Sequence, residues 1–208
     1  HIGSKKLPIL LSTGASDISD IKRAVSTLES VGNKDIAIMH CTLCYPTEPA
    51  NVNLSALNDI KSHFPNYILG LSDHTLGTLI PAASVLMGVK IIEKHYTFDK
   101  TLPESADHWL SLNEEELKTM VDDVRTLEDS YGINKKVCLE CEEPTFKYAR
   151  RSIVAKEKIN KGTLVTEDLL IMKRPGTGIP PFELDKIINK KAKKDIEEDS
   201  LIEFKDVE

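Results

Sequence analysis

Long apolar runs are missing from this chain: no stretch approaches the length of a bilayer span, and the N-terminus has no signal-peptide pattern. The expected compartment is the cytoplasm, with no membrane partner. Positive charge is also scarce, with 27 Lys and Arg against 33 Asp and Glu and a net charge of −6. Without a broad basic face to neutralise phosphates, a nucleic-acid partner is excluded. An anionic small substrate is not, because a local pocket can oppose the global sign. A Gly-rich phosphate fingerprint is absent too, which argues against a nucleotide-binding open sheet. Cysteine is limited to Cys41, Cys44, Cys138 and Cys141. These form two C-x-x-C pairs, but the pairs lie far apart instead of within the usual span of roughly fifteen to twenty residues, so a four-thiolate zinc site is disfavoured. A thioredoxin-like role would want its motif at a helix start, whereas Cys41 directly follows a strand. The four thiols read as structural or incidental, reduced as in the cytoplasm.

What is present is an alternation. Pro8 to Leu11 is a buried-strand run stopped by Ser12-Thr13-Gly14, and a helix follows from about Ser16 with Ile18, Ile21, Val25 and Leu28 on one face, ending at Gly32. Ile36 to Met39 is a second strand, delivering His40-Cys41-Thr42. Asn53 is expected to cap a helix carrying Leu54, Leu57, Ile60 and Phe64, closed by Pro65. Tyr67 to Leu71 is a third strand, Leu79 to Met87 a helix ending at Gly88, and Val89 to Ile92 a fourth strand. A last helix runs from about Asn113 through Leu117, Val121, Val124 and Leu127 to Gly132. Repeated strand–helix units mean a parallel sheet with right-handed crossovers. Polar clusters after each strand fit the catalytic end of a β/α barrel, of which four units are half. The alternative is a small open α/β sheet.

From about Lys135 the texture changes. Lys135 to Pro144 is polar and reads as a linker. Arg151 to Ala155 opens a module of short strands with turn signals at Asn160-Lys161-Gly162 and Pro175-Gly176-Thr177-Gly178. The run Lys190 to Lys194 reads as a solvated face. The expected division is a partial barrel over 1–134, a linker over 135–148 and a small β-rich domain over 149–208.

Two blocks are the densest in chemistry: Gly70-Leu71-Ser72-Asp73-His74-Thr75 and Ile91-Ile92-Glu93-Lys94-His95-Tyr96-Thr97. Each is an apolar run ending in a polar cluster with one histidine. On neighbouring strands, His74 and His95 can point at one metal ion from adjacent tips. The alternative is two unrelated histidines, since buried imidazoles often bond backbone.

Together with Leu11 to Gly14, His40 to Thr42 with Tyr45-Pro46, Ala106-Asp107-His108, Arg150 to Ser152 and Lys173 to Gly176, these blocks resemble the sialic acid synthase family, in family order over nearly the whole chain. That family condenses phosphoenolpyruvate with an N-acetylated aminosugar, N-acetylmannosamine or a relative, to make nine-carbon acids with release of phosphate. The resemblance implies a TIM-type β/α barrel, here its C-terminal half of four β/α units, followed by an antifreeze-like (SAF) domain. It further implies that four N-terminal units, which carry much of the phosphoenolpyruvate site, precede the part seen here, so that this chain alone is expected to be inactive. It implies a divalent metal held by His74 and His95, Mn²⁺ first and Mg²⁺ or Co²⁺ as alternatives; two neutral imidazoles with oxygens suit such an ion.

By the same resemblance Glu93, two residues before His95, touches the reacting centre and shuttles a proton; its alternative is a lysine-paired interior carboxylate. Ser12 and Ser72 resemble phosphate contacts, or else strand caps. Tyr45 resembles a ligand contact, or packs its loop. Asp107 resembles the carboxylate that bonds sugar hydroxyls, or is a turn residue. Arg174 resembles the arginine that reaches into a partner's barrel toward the N-acetyl group of the sugar, implying a domain-swapped homodimer, or is a surface arginine. Leu43 departs from the pattern, standing where a small polar residue helps hold phosphoenolpyruvate. Leu43 and the missing units leave two rival functions: a non-catalytic sugar- or partner-binding remnant with a SAF domain, and a barrel hydrolase using the same histidines. Neuraminic, legionaminic and pseudaminic products all remain open.

Overall fold

The computed structural model describes residues 1–105 and 107–208; Ala106, part of one of the blocks above, lies outside the described residues. The chain divides into two units, His1–Ile133 and Asn134–Glu208.

In the first unit β1 (Ile9–Ser12), α1 (Ile18–Ser30), β2 (Ile36–Cys41), α2 (Ala56–His63), β3 (Ile68–Asp73), α3 (Leu79–Ser84), β4 (Ile91–Lys94) and α4 (Glu114–Tyr131) alternate. The strands form one parallel sheet in sequence order, β1-β2-β3-β4. This is the half barrel that the repeated units imply. Side chains alternate across a strand, so the register decides what each face carries. Leu11, Ile38, Leu69, Leu71 and Ile92 meet Ile21 and Val25 of α1 and Leu57 and Ile60 of α2 in one apolar core. The other face holds Leu10, Ala37 and Ile68 in one row, then Ser12, Met39, Gly70 and Ile91, then Cys41, Ser72 and Glu93. Leu10 and Ile68 are about half exposed on it. The helix layer covers one side of the sheet only.

Local chemistry sets the helix ends. Asp17 accepts the amide of Asp20 while the Asp20 carboxylate accepts the amide of Asp17, a reciprocal cap for α1. Asn113 and Glu116 do the same for α4. Two expectations shift. Asn53 takes a left-handed φ of 50° and its carbonyl accepts the Ala56 amide, so the chain turns there and α2 begins three residues later. Leu54 still packs on the core, from the turn. The helix expected to reach Met87 is α3 followed by a 3-10 turn at Val85–Met87, ended by Gly88 at φ 87°.

The polar segment from Lys135 is also more ordered than its composition implied. It contains a 3-10 turn, Glu140–Glu142, that runs into α5 (Glu143–Tyr148). Pro144 sits in the first turn, where its missing N–H is no loss. In the second unit β5 (Ser152–Ala155) pairs antiparallel with β6 (Leu170–Lys173). Single bridges such as Val154 to Leu201 and Ile159 to Ile196 close the remainder around Ile153, Val165, Ile187 and Ile202, which are fully buried. Among the described residues no helix is long and apolar enough to cross a membrane.

Candidate active site

The chemistry-bearing residues of the first unit gather where β2, β3 and β4 end. Cys41, Ser72 and Glu93 are register partners on the uncovered face, and the Ser72 hydroxyl donates to Glu93 Oε1 at 2.6 Å. One residue beyond β3 comes His74, and one residue beyond β4 comes His95, so the parallel register alone makes them neighbours. Their ring centroids are 5.3 Å apart, at 66°. Tyr45, on the loop after β2, lies 4.1 Å from the His74 ring and 5.7 Å from the His95 ring.

The loops are stitched together by backbone. Thr47 N–H donates to the His74 carbonyl at 2.8 Å, and Leu112 N–H donates to the His95 carbonyl at 2.9 Å. His74 Nδ1 lies 2.9 Å from the Thr42 carbonyl oxygen. A carbonyl only accepts, so Nδ1 carries the hydrogen, and the lone pair of neutral His74 is on Nε2. His95 Nδ1 faces Asp107 Oδ2 at 3.8 Å. The His74 ring is therefore oriented through Nδ1 with Nε2 left over, as outer oxygens orient a metal-ligating histidine, while Asp107 stands near His95 Nδ1 beyond hydrogen-bond distance. Among the described residues no three His, Cys, Asp or Glu side chains converge as a complete metal cage. The residues fit an ion held by two imidazoles and completed by waters or substrate oxygens, as in open sites.

Partial burial first, and then the nearby Cys41, Asp107 and Glu93, push the Tyr45 phenol above its ordinary value. It stays protonated near neutrality and can donate a hydrogen bond. His40 also follows the pattern of a polar strand end, but it faces the helix layer and its Nε2 is bound to the Val52 carbonyl at 2.8 Å. Ser12 is exposed at the end of β1, on the face that carries Ser72 and Glu93. Leu43 is half exposed and lies on Gly14: a Cβ there would stand 2.4 Å from Leu43 Cγ. With Thr13, Asp17 and Asn53 it lines an open cavity of about 610 Å³ between the loops after β1 and β2. Of the cysteines, all free, Cys41 is buried and the other three are exposed.

Arg174 belongs to the second unit, at the end of β6. It is exposed, and its Nε donates to the Ala149 carbonyl at 3.0 Å, while Gly176 N–H donates to the Lys147 carbonyl. The guanidinium of this exposed arginine is therefore tethered through Nε to the backbone of its own unit.

Sequence reasoning missed Asp73 and Lys94. They are register partners, their side chains are 1% and 4% exposed, and Lys94 Nζ meets Asp73 Oδ2 at 2.6 Å. The signal was available: each histidine is preceded by one member of an opposite-charge pair.

Four parallel strands in sequence order, with helices on one side and polar side chains gathered at the strand tips, form half of a β/α barrel. The chain belongs to the NeuB family, which it matches over residues 1–136, and carries a SAF domain at 150–208. It is 46% identical over 200 residues to an uncharacterized protein of Methanocaldococcus jannaschii, covering 96% of this chain and 59% of that protein. It is 38% identical over 192 residues to the N,N'-diacetyllegionaminic acid synthase of Legionella pneumophila, covering 90% and 53%. Among solved structures, the spore coat polysaccharide biosynthesis protein SpsE of Bacillus subtilis superposes with a TM-score of 0.59 at 34% identity, covering all of this chain and 63% of that one. The chain thus spans between half and two-thirds of the length of these relatives.

Proposed function

We propose that this chain supplies the metal-binding and sugar-binding half of a nonulosonic acid synthase, which condenses phosphoenolpyruvate with an N-acetylated aminosugar and releases phosphate. In that reaction the phosphoenolpyruvate methylene attacks the open-chain sugar aldehyde, water adds at the phosphate-bearing carbon, and the tetrahedral adduct expels phosphate. The observation that carries the reading is the pair of imidazoles, 5.3 Å apart, with His74 oriented through Nδ1 and Asp107 near His95 Nδ1. They would hold Mn²⁺ or a similar ion, which supplies Lewis acidity toward the aldehyde oxygen.

The other roles belong to side chains. Glu93, held by the Ser72 hydroxyl, moves a proton at the reacting centre. Tyr45 donates a hydrogen bond to the bound substrate, and Asp107 takes sugar hydroxyls. Ser12 and Ser72 contact the phosphate from the uncovered sheet face. Arg174 serves the N-acetyl group across a domain-swapped dimer. The uncovered face, with Leu10 and Ile68 half exposed, supports the need for further barrel units before phosphoenolpyruvate can be held.

Leu43 against Gly14 favours a second reading, a sugar-binding protein that no longer condenses, because an apolar side chain there offers phosphoenolpyruvate no hydrogen bond. The deciding assay measures phosphate release from phosphoenolpyruvate with N-acetylmannosamine, using this chain with and without a supplied N-terminal half barrel from a relative. Release only with the added half supports the synthase; release from the chain alone overturns the half-site reading; sugar binding without release by either supports the second.

A further inference from the structure

The Asp73–Lys94 pair has no place in the chemistry just described. It lies on the opposite side of the sheet from Ser72 and Glu93, because consecutive residues of a strand face opposite ways. Stability alone does not account for it, since two charges removed from water recover little net energy and an apolar pair of similar size is often as good or better. A buried ion pair kept at one place calls for a geometric reason.

The geometry supplies one. Asp73 is the last residue of β3 and Lys94 the last of β4, and the next residue on each strand is a histidine. The contact does not end with the pair. Lys94 Nζ also donates to the Thr75 carbonyl, Thr75 Oγ1 donates to Asp73 Oδ2 at 2.8 Å, and Thr75 N–H donates to Asp73 Oδ1 at 3.3 Å. The residues on both sides of His74 are therefore gripped by one lysine that is covalently next to His95. From the β2 side the His74 ring is held by the Thr42 carbonyl. His74 is fixed from two strands, and the strand carrying His95 is one of them.

We infer that Asp73, Lys94 and Thr75 are positioning residues that set the separation of the His74 and His95 rings, and through it the affinity for the metal. The ion pair acts as a spacer bolted between two strand tips. A two-imidazole site has little else to define it, so a shift of either tip misaligns both donors. The inference rests on the metal-binding reading of the proposed function, and touches no group that reacts.

The test is Mn²⁺ binding to the full chain, followed by the loss of the free-ion paramagnetic resonance signal, well below the melting temperature of each variant. The Asp73→Asn, Lys94→Met double variant removes both charges without stranding either. Its expected dissociation constant is at least tenfold above that of the wild type, with a cooperative melt retained. A merely structural pair would change the melting temperature and leave the Mn²⁺ constant within twofold, which overturns the inference. Should the double variant not fold, Thr75→Val decides: it keeps the ion pair and drops only the hydroxyl. A threefold or greater weakening supports positioning, and an unchanged constant overturns it. Absence of Mn²⁺ binding by the wild type overturns the metal reading itself, and this inference with it.

Discussion

Gly70→Ala should destabilise the first unit, although glycine-to-alanine changes in a strand ordinarily do the reverse. Gly70 lies two residues before Ser72 on the same face of β3, directly opposite Met39 in the register. An added Cβ would stand 2.1 Å from Met39 Sδ, 2.6 Å from Met39 Cε and 3.1 Å from the Ile91 carbonyl oxygen. Ordinary contact is at about 3.5–4.0 Å, so the thioether must retreat by roughly 1.5 Å. Met39 is 1% exposed, so its neighbours must give as the thioether moves, and the Ile91 carbonyl oxygen is backbone that cannot swing aside. Overpacking of this kind costs about 1–3 kcal/mol, against roughly 0.4–1 kcal/mol gained by stiffening the unfolded chain. The net loss is roughly 0–2.6 kcal/mol, centred near 1 kcal/mol, or about 3–5 °C in Tm for a unit of this size at that centre. Trp109, the one tryptophan, lies in the first unit and reports its unfolding in urea by fluorescence. Met39→Ala alone should cost about 2–5 kcal/mol. In the double variant the clash is gone, so the two changes should couple favourably by about 1 kcal/mol or more. A stabilising Gly70→Ala, or strict additivity in the double variant, would refute the steric account.

Three further outcomes are expected. Arg174→Ala, in an enzyme completed by the remaining barrel units, should raise the KM of the aminosugar roughly ten- to a hundred-fold, the worth of one charged hydrogen bond at about 1.5–3 kcal/mol, with little change for phosphoenolpyruvate. Mixing Arg174→Ala subunits with subunits lacking His74 and His95 should restore some activity if the arginine serves its partner; none from a proven heterodimer would place it elsewhere. In the second unit, burial works to raise the Asp206 pKa, but hydrogen bonds from Lys194 Nζ at 2.8 Å and Glu203 N–H at 3.1 Å outweigh it and hold the value below the ordinary carboxylate range. A folded value below the unfolded one stabilises fully above the unfolded pKa, and the gain is lost as pH falls through the folded value. Urea melts at neutral and acid pH should show this unit losing stability on acidification that Asp206→Asn never had; an equal acid loss in the variant would remove Asp206 from the account.

The periodicity of apolar residues was enough to place the strands and helices of the first unit in order, because a buried parallel strand is an unbroken apolar run and an amphipathic helix repeats its stripe. The caps at Asn113 and Gly88 were legible for the same reason: they are local. The blocks around Ser72, His74, Glu93 and His95 could be singled out as strand ends rich in polar groups, and the resemblance gave them roles. Other features depended on neighbours the sequence does not name. Asn53 looked like a cap but turns the chain, since α2 starts where Leu57 and Ile60 reach the core. The segment before α5 looked like linker because a six-residue helix has too few apolar positions to show a period. His40 and His74 are both polar strand-end residues by sequence, yet one bonds the Val52 carbonyl beneath the helices and the other the Thr42 carbonyl beside Tyr45. Asp73 and Lys94 became partners only once the parallel register set β3 beside β4. Sequence fixes what each strand can present; which side chains meet is decided by the register between strands, a property of the sheet and of no single segment.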